Sequence, residues 1–251
     1  MTLWKRRLAG WVREAAPLAV TLGLVLTVQT MAAQPFTVPT GSMIPTIQIG
    51  DEVVASKFAY GWSKYSSPIG LMPDFSGRIL DRAPQRGDVI VFRLPRDTSE
   101  TYVKRVIGLP GDRIRMSGGQ LYINGTMVSR RADGTADADW HGSSRTYTRY
   151  IESLPDGREH VIQKLPGRNP LDDTPEVTVP PGHYFMMGDN RDDSLDSRVP
   201  AERGGVGFVP EENLLGRADV VLFSRNPQVA WWDVAHWGDA FRGKRTLSWI
   251  E

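Results

Sequence analysis

The sequence contains no cysteine. That excludes a disulfide framework, cysteine-ligated zinc and a thiol nucleophile in any compartment, without identifying the compartment. An excess of charge is also missing: 30 Lys and Arg stand against 29 Asp and Glu, a formal net charge of +1. Binding to nucleic acid rests on a basic surplus, so nucleic acid is not expected as a partner. Histidine is scarce. His141, His160, His183 and His236 are the four, and none sits in a motif that pairs it with a serine, so each reads as structural or exposed. Frequent punctuation, with 25 Gly and 18 Pro, leaves little room for long helices after the first fifty residues and predicts a β-rich body. At 251 residues the chain can hold one core with a large insertion, or two modest domains.

One long apolar run is present. Residues 15 to 33 read AAPLAVTLGLVLTVQTMAA, and no charged residue falls between Glu14 and Asp51. Helical residues rise about 1.5 Å each, so this run reaches close to the roughly 30 Å of a bilayer core. Thr21, Thr27, Gln29 and Thr30 make it only moderately apolar, and Pro17 fits a first helical turn. Lys5, Arg6, Arg7 and Arg13 precede the run, with few cations close behind it, which places the N-terminus in the cytoplasm and the remainder outside. Trp4 and Trp11 stand where interfacial anchors would. A cleavable signal peptide, with its basic start and small residues such as Ala32 and Ala33, is the competing reading. The run is longer than a signal core, and cleavage there would leave Ser42 close to a free end, so an anchor is expected. A buried core helix fits less well, because the run has no polar face.

Past the anchor, residues 35 to 51 read PFTVPTGSMIPTIQIGD, too rich in Pro and Gly for a helix; extended pieces joined by a turn at Thr40, Gly41 and Ser42 are expected. Strands are expected over 51–55 and 87–92, with a surface loop over 56–85. Residues 101 to 108, TYVKRVIG, are dense in β-branched types and close on a Leu-Pro-Gly-Asp turn. A period of two puts Tyr102, Lys104 and Val106 on one face and Val103, Arg105 and Ile107 on the other. A hairpin is expected around Ser117, Gly118 and Gly119, then an Asn124-Gly125 turn. Residues 126–178 read as polar and irregular. Strands return over 182–187 and 216–224, and the tail carries Trp231, Trp232, Trp237, Phe241 and Trp249, for which buried packing is expected.

A serine becomes a useful nucleophile only with a base in hydrogen-bond reach and donors aimed at the developing oxyanion. Lys104, held between Tyr102 and Val106, could be desolvated and so lose its proton near neutral pH, although most strand lysines simply extend to solvent. The acidic run with Asp189, Asp192, Asp193 and Asp196 lacks the central Gly and terminal Glu of a calcium loop, and Arg191 and Arg198 stand ready to neutralise it internally, so no metal is expected.

Four segments, PTGSMIPTIQIGD, RGDVIVF, YVKRVIGLPGD and GDNRDDSLDSR, follow the anchor in that order. Together they closely resemble the boxes of the bacterial type I signal peptidases, over about 40 of 251 positions. The resemblance implies a membrane-bound Ser-Lys serine endopeptidase that removes signal peptides from exported precursors. It implies Ser42 as nucleophile and Lys104 as general base. Thr40 would form the oxyanion hole with the Ser42 amide, where most members carry Ser in place of Thr. Ser194 would orient the lysine, supported by an Asp196–Arg198 ion pair, while Asp193 departs from the Asn of many relatives and its charge could raise the lysine pKa. Phe36, Val38, Met43 and Val103 would line shallow pockets that accept small residues such as Ala at the first and third positions before the cut.

The expected fold is mostly β: a signal-peptidase-like catalytic core of residues 34–112 and 180–251, a smaller inserted, variable β subdomain of 113–179, an anchor of 15–33 and a cytoplasmic 1–14. No cofactor is expected. Partners are signal-peptide-bearing precursors and membrane lipid, and the expected location is the bacterial inner membrane, single-pass, with the catalytic part on the outer side. Competing readings are a self-cleaving Ser-Lys repressor, which would carry a DNA-binding region where the apolar span lies, a specialised maturation protease for one pilin-type substrate, and a non-enzymatic membrane-tethered β domain.

Overall fold

The apolar run folds as the second half of a longer helix. In the structure, a computed structural model that describes residues 3–70, 72–140, 143–229, 232 and 236–250, helix α1 spans Leu3–Met31. Pro17 therefore sits inside the helix and not in its first turn. The stretch Arg13–Met31 is long and apolar enough to cross a membrane, and none of it is covered by the body. Leu18, Val20, Leu22 and Leu24 are exposed, an arrangement that lipid favours and water does not. Two hydroxyls in the span are satisfied within it, Thr21 donating to the Pro17 carbonyl and Thr27 to that of Gly23. The helix stops short of the expected boundary, because Ala33 already opens strand β1 (Ala33–Thr37).

Body and helix are tied at this junction. The Trp62 indole N–H donates to the Met31 carbonyl at 3.0 Å and the Lys57 amide to that of Ala32 at 2.9 Å. The region 56–85 is consequently more than a surface loop: a 3-10 turn at Lys57–Ala59 opens it, and Lys57, Tyr60, Ser63 and Ser66 are buried.

The main sheet is antiparallel. It runs β1, β2 (Asp51–Ser56), β14 (Leu214–Ser224), β3 (Val89–Leu94), β4 (Asp97–Gly108), β12 (His183–Met187) and β13 (Val209–Pro210), with β15 (Ser248–Trp249) also pairing β14. Its registers set Lys104 of β4 opposite Ile90 of β3, and Arg105 opposite Met187 of β12. Two apolar clusters fill its faces, one around Met43, Ile47, Val53 and Val91, the other around Ile90, Phe92, Val106 and Met186.

The stretch between β4 and β12 forms two smaller sheets. The expected hairpin is present as β5 (Arg113–Ser117) and β6 (Gln120–Ile123), joined to β7 (Thr126–Met127) by an Asn124-Gly125 turn with both residues at positive φ, and closed on its other edge by β11 (Val177–Thr178). The expectation of irregular structure after residue 126 fails. A long hairpin of β8 (Ser129–Trp140) and β9 (Ser143–Ser153) occupies it, followed by β10 (Glu159–Lys164). β8 is poor in strand-forming types, and its pairing with β9 shifts register across Asp133 and Gly134, where Gly134 takes φ +84°. A third cluster, with Ile107, Ile114, Leu121, Leu154 and Phe185, bonds this region to the main sheet.

The tail does not pack as expected. Trp232, Phe241 and Trp249 are exposed, Trp237 opens a short helix α2 (Trp237–Ala240), and Trp231 lies outside the described residues.

Candidate active site

Three separate pieces of chain meet at Ser42. The first is the turn that follows β1, where the Ile44 amide donates to the Gly41 carbonyl and the Ile47 amide to that of Met43. The second is β4, and the third is the loop 188–198 after β12. Lys104 Nζ lies 2.6 Å from Ser42 Oγ, across 62 residues of sequence. Both side chains are buried, at 3% and 6% exposure for the whole residues. Burial lowers the Lys104 pKa from 10.5 to about 8, against the opposing pull of the Asp196 and Asp189 carboxylates. As an ammonium Lys104 donates to Ser42 Oγ; once deprotonated, the amine can accept the serine proton along the same line. Its second hydrogen bond runs to the Val103 carbonyl at 2.9 Å, and its ammonium stands 5.3 Å from the Tyr102 ring centre.

Ser194 makes no hydrogen bond to Lys104. It is buried in the same loop as Asp196, and its hydroxyl has no hydrogen-bond partner among the described residues. Asp196 pairs Arg198 bidentately, at 2.9 and 2.8 Å, and accepts the Gly188 amide at 3.1 Å. Gly188 is the residue that lets these parts close. A Cβ there would stand 2.5 Å from the Ser42 carbonyl oxygen and run into Ser194, so only hydrogen fits. Sequence reasoning passed over this glycine, although its place at the head of the GDNRDDSLDSR segment was a usable signal.

The acidic loop is not neutralised internally, apart from Asp196–Arg198. Asp189 takes a bidentate pair from Arg105 at 2.9 and 2.8 Å, plus the Thr46 hydroxyl at 2.5 Å. Asp192 accepts from Lys164 Nζ at 2.9 Å, and Arg191 pairs the fully buried Glu152 of β9. Asp193 accepts from the Tyr147 hydroxyl, with Arg145 3.6 Å away. Glu152, Lys164 and Tyr147 were not expected at the site, because nothing local in the sequence ties β9 and β10 to a loop decades of residues away. His160 is buried beside Glu152, its pKa lowered to about 4 by burial and then by Arg105; His183 rests on the Pro181 carbonyl, His236 is exposed, and His141 lies outside the described residues. Among the described residues no group of three or more His, Asp and Glu could hold a metal.

An open cleft of about 630 Å³ leads to the pair. Phe36, Val38, Thr40, Ser42, Val103 and Lys104 line it together with Val53, Val91, Tyr102, Leu195, Glu100 and Asp193. Thr40 is exposed on its wall, two residues from the serine. Met43 is different: it is fully buried in the core beneath the cleft and forms no part of the lining. The turn that turns Ser42 outward must turn its neighbour in. The walls are mainly apolar, so the cleft suits small uncharged side chains by shape, beside a serine whose proton has an acceptor at hand.

The chain is similar to known proteins over most of its length. The family model described as signal peptidase, peptidase S26, matches residues 10–223. The signal peptidase I of Rickettsia typhi is 40% identical over 228 residues, spanning 88% of this chain and 83% of that relative. That of Rickettsia massiliae is 41% identical over 217 residues, 84% and 78% respectively. A crystal structure of a signal peptidase I from Enterococcus faecalis V583 is 29% identical, with a TM-score of 0.31, over 54% of this chain and 97% of that one.

Proposed function

The chain belongs to the signal peptidase family, peptidase S26, and from that premise we propose that Ser42 and Lys104 carry its reaction. Its activity is that of a serine peptidase that removes signal peptides from precursor proteins, and its apolar helix makes it a membrane-anchored one. The observation behind the residue assignment is the 2.6 Å contact between Lys104 Nζ and Ser42 Oγ at the floor of an open, apolar cleft.

In the proposed cycle neutral Lys104 takes the Ser42 proton as Oγ attacks the scissile carbonyl. The Ser42 amide and the Thr40 hydroxyl stabilise the oxyanion, and the protonated lysine then delivers its proton to the departing amine. Water releases the acyl-enzyme by the reverse proton path. Asp196–Arg198 and Ser194 support the loop beside the lysine, and Phe36, Val38 and Val103 shape pockets for small residues on the signal-peptide side of the cut. The basic residues in the first half of the helix, ahead of its apolar run, orient the N-terminus to the cytoplasm, with lipid around the span and the cleft on the outer face of the bacterial inner membrane. β5 to β11 form the inserted subdomain of this scheme, and the main sheet its catalytic domain.

The test is incubation of the full chain, in detergent micelles, with a secretory precursor, followed by N-terminal sequencing of the product. A cut after a small-x-small triplet, lost in Ser42→Ala and in Lys104→Ala, is the expected result; processing retained by either variant overturns that residue's role.

A further inference from the structure

Among the described residues the Ser42 amide N–H has no partner: the hydrogen bonds of Ser42 there are the one from Lys104 to Oγ and one accepted by its carbonyl. Ser42 is only 6% exposed, and a backbone amide that no protein group satisfies is uncommon at such a position. Its direction is not left to chance, however. The peptide linking Gly41 to Ser42 is planar and trans, so its C=O and its N–H point opposite ways, and whatever grips the oxygen aims the hydrogen.

Asn190 grips that oxygen. Its side-chain Nδ2 donates to the Gly41 carbonyl at 3.2 Å, and its backbone N–H donates to the Ser42 carbonyl at 3.1 Å. One residue thus holds both peptide planes that flank the nucleophile. The Gly41 oxygen also accepts the Ile44 amide at 3.1 Å, and two donors on one carbonyl polarise the peptide and strengthen its N–H as a donor.

Asn190 is itself immobilised. It is 1% exposed, and β10 clamps the backbone on both sides of it: the Gln163 amide donates to the Asp189 carbonyl at 2.9 Å, and the Arg191 amide to the Gln163 carbonyl at 3.0 Å. Tyr147 of β9, bonded to Asp193, stands beside the Asn190 side chain.

We infer that Asn190 is a positioning residue for the oxyanion hole, setting the Gly41–Ser42 peptide so that the Ser42 N–H faces the cleft, with β9 and β10 holding Asn190 in place. This rests on the reading of Ser42 as nucleophile and its amide as oxyanion donor.

The experiment compares wild type, Asn190→Ala, the isosteric Asn190→Asp, which deletes the Nδ2 donor while keeping the backbone bonds, and Ser42→Ala, all as full chains in micelles. Direct deletion of one oxyanion donor costs roughly 100- to 1,000-fold in turnover, so misaiming one is expected to cost roughly 10- to 100-fold in kcat. KM should stay within about twofold, and in Asn190→Ala, which adds no charge near Lys104, the pH midpoint of kcat should not move; the new carboxylate of Asn190→Asp should move it upward, so its kcat is compared on the high-pH plateau. A peptide aldehyde, which forms a tetrahedral adduct on the serine, should bind more weakly in proportion to kcat, while an uncleavable peptide with Pro after the scissile position binds as before. The inference is overturned if Asn190→Asp keeps kcat within twofold, or if aldehyde and uncleavable peptide lose affinity equally alongside a fall in Tm, the signature of a merely structural role. Processing by Ser42→Ala would instead sink the nucleophile assignment; an inert Ser42→Ala beside a fully active Asn190→Asp sinks only the role of Asn190.

Discussion

Two lysines of this protein are buried with their pKa values pulled down, and only one of them sits where a base can act. Lys57, at the junction of helix and body, falls to about 7; Lys104, in the cleft, falls to about 8. Desolvation is the leading cause for both, joined at Lys57 by the nearby Arg93 and Arg78. What separates them is the partner. Lys57 donates to the Gln34 amide oxygen at 2.8 Å and to the Ser66 carbonyl, oxygens that have no proton to give up. Lys104 faces a hydroxyl, on the wall of an open cleft. A depressed pKa is therefore a consequence of burial, and becomes a catalytic property only beside an acidic proton that substrate can reach.

The comparison breaks most simply by exchange of the amines. Lys104→Met and Ser42→Ala should each lower precursor turnover by roughly 1,000-fold or more, the scale on which nucleophile and base act as a unit. Lys57→Met should stay within a few-fold of wild type in the same gel assay. Comparable losses from both lysine variants would erase the distinction.

A second test disturbs the frame around Lys104 while leaving the amine alone. Arg191 and Glu152 are both buried and paired, so Glu152→Gln leaves an uncompensated guanidinium and should cost about 3–5 kcal/mol, read from urea denaturation. Gly188→Ala forces a Cβ onto the Ser42 carbonyl oxygen and Ser194; the overpacking should cost about 1–3 kcal/mol, with turnover falling further than stability alone explains. A Gly188→Ala enzyme with normal turnover would show that the loop yields more easily than its packing implies.

The finest distinction lies in pH. With the neutral amine of Lys104 as the proposed base, kcat should rise as pH rises through about 8 and level off above it, in wild type and in Lys57→Met alike. Stability follows the other lysine as well. The folded Lys57 pKa lies below its unfolded value, so between about 7 and 10.5 the unfolded chain binds more protons and stability rises with pH. Below about 7 both states are protonated and the cost of burying the charge is fully present. Lys57→Met should flatten this rise in Tm without moving the kcat midpoint; a shifted midpoint would mean the two lysines are coupled.

Much of the site could be read from residue order. The strand holding Lys104, the hairpin at Gly118-Gly119 and the Asn124-Gly125 turn follow from local propensity, and the structure has them in place. The long β8–β9 hairpin was obscured because β8 is built of Asp, Ala, Arg and Gly, types depleted in strands, and takes its form from pairing with β9. The run of strand-favouring types Thr146, Tyr147, Thr148, Tyr150 and Ile151 in β9 was the available signal. The exposed Trp232, Phe241 and Trp249 failed the expectation of burial, since an apolar side chain records a preference and not a neighbour.

By itself, the sequence determined an apolar span preceded by cations, a β-rich body, and a serine and a lysine in segments that resemble one family. These are properties of composition, period and order, which need no knowledge of distant contacts. Only the tertiary structure decided that Lys104 meets Ser42 while Lys57 meets carbonyls, that Met43 lies under the cleft, and that the acidic loop is neutralised from β4, β9 and β10. It alone decided that Asn190 grips the Gly41 and Ser42 carbonyls. The physical reason is common to all four: burial and hydrogen-bond partnership are set by segments brought together across many residues, and a charged or polar side chain acquires its chemistry from whichever of them it ends up facing.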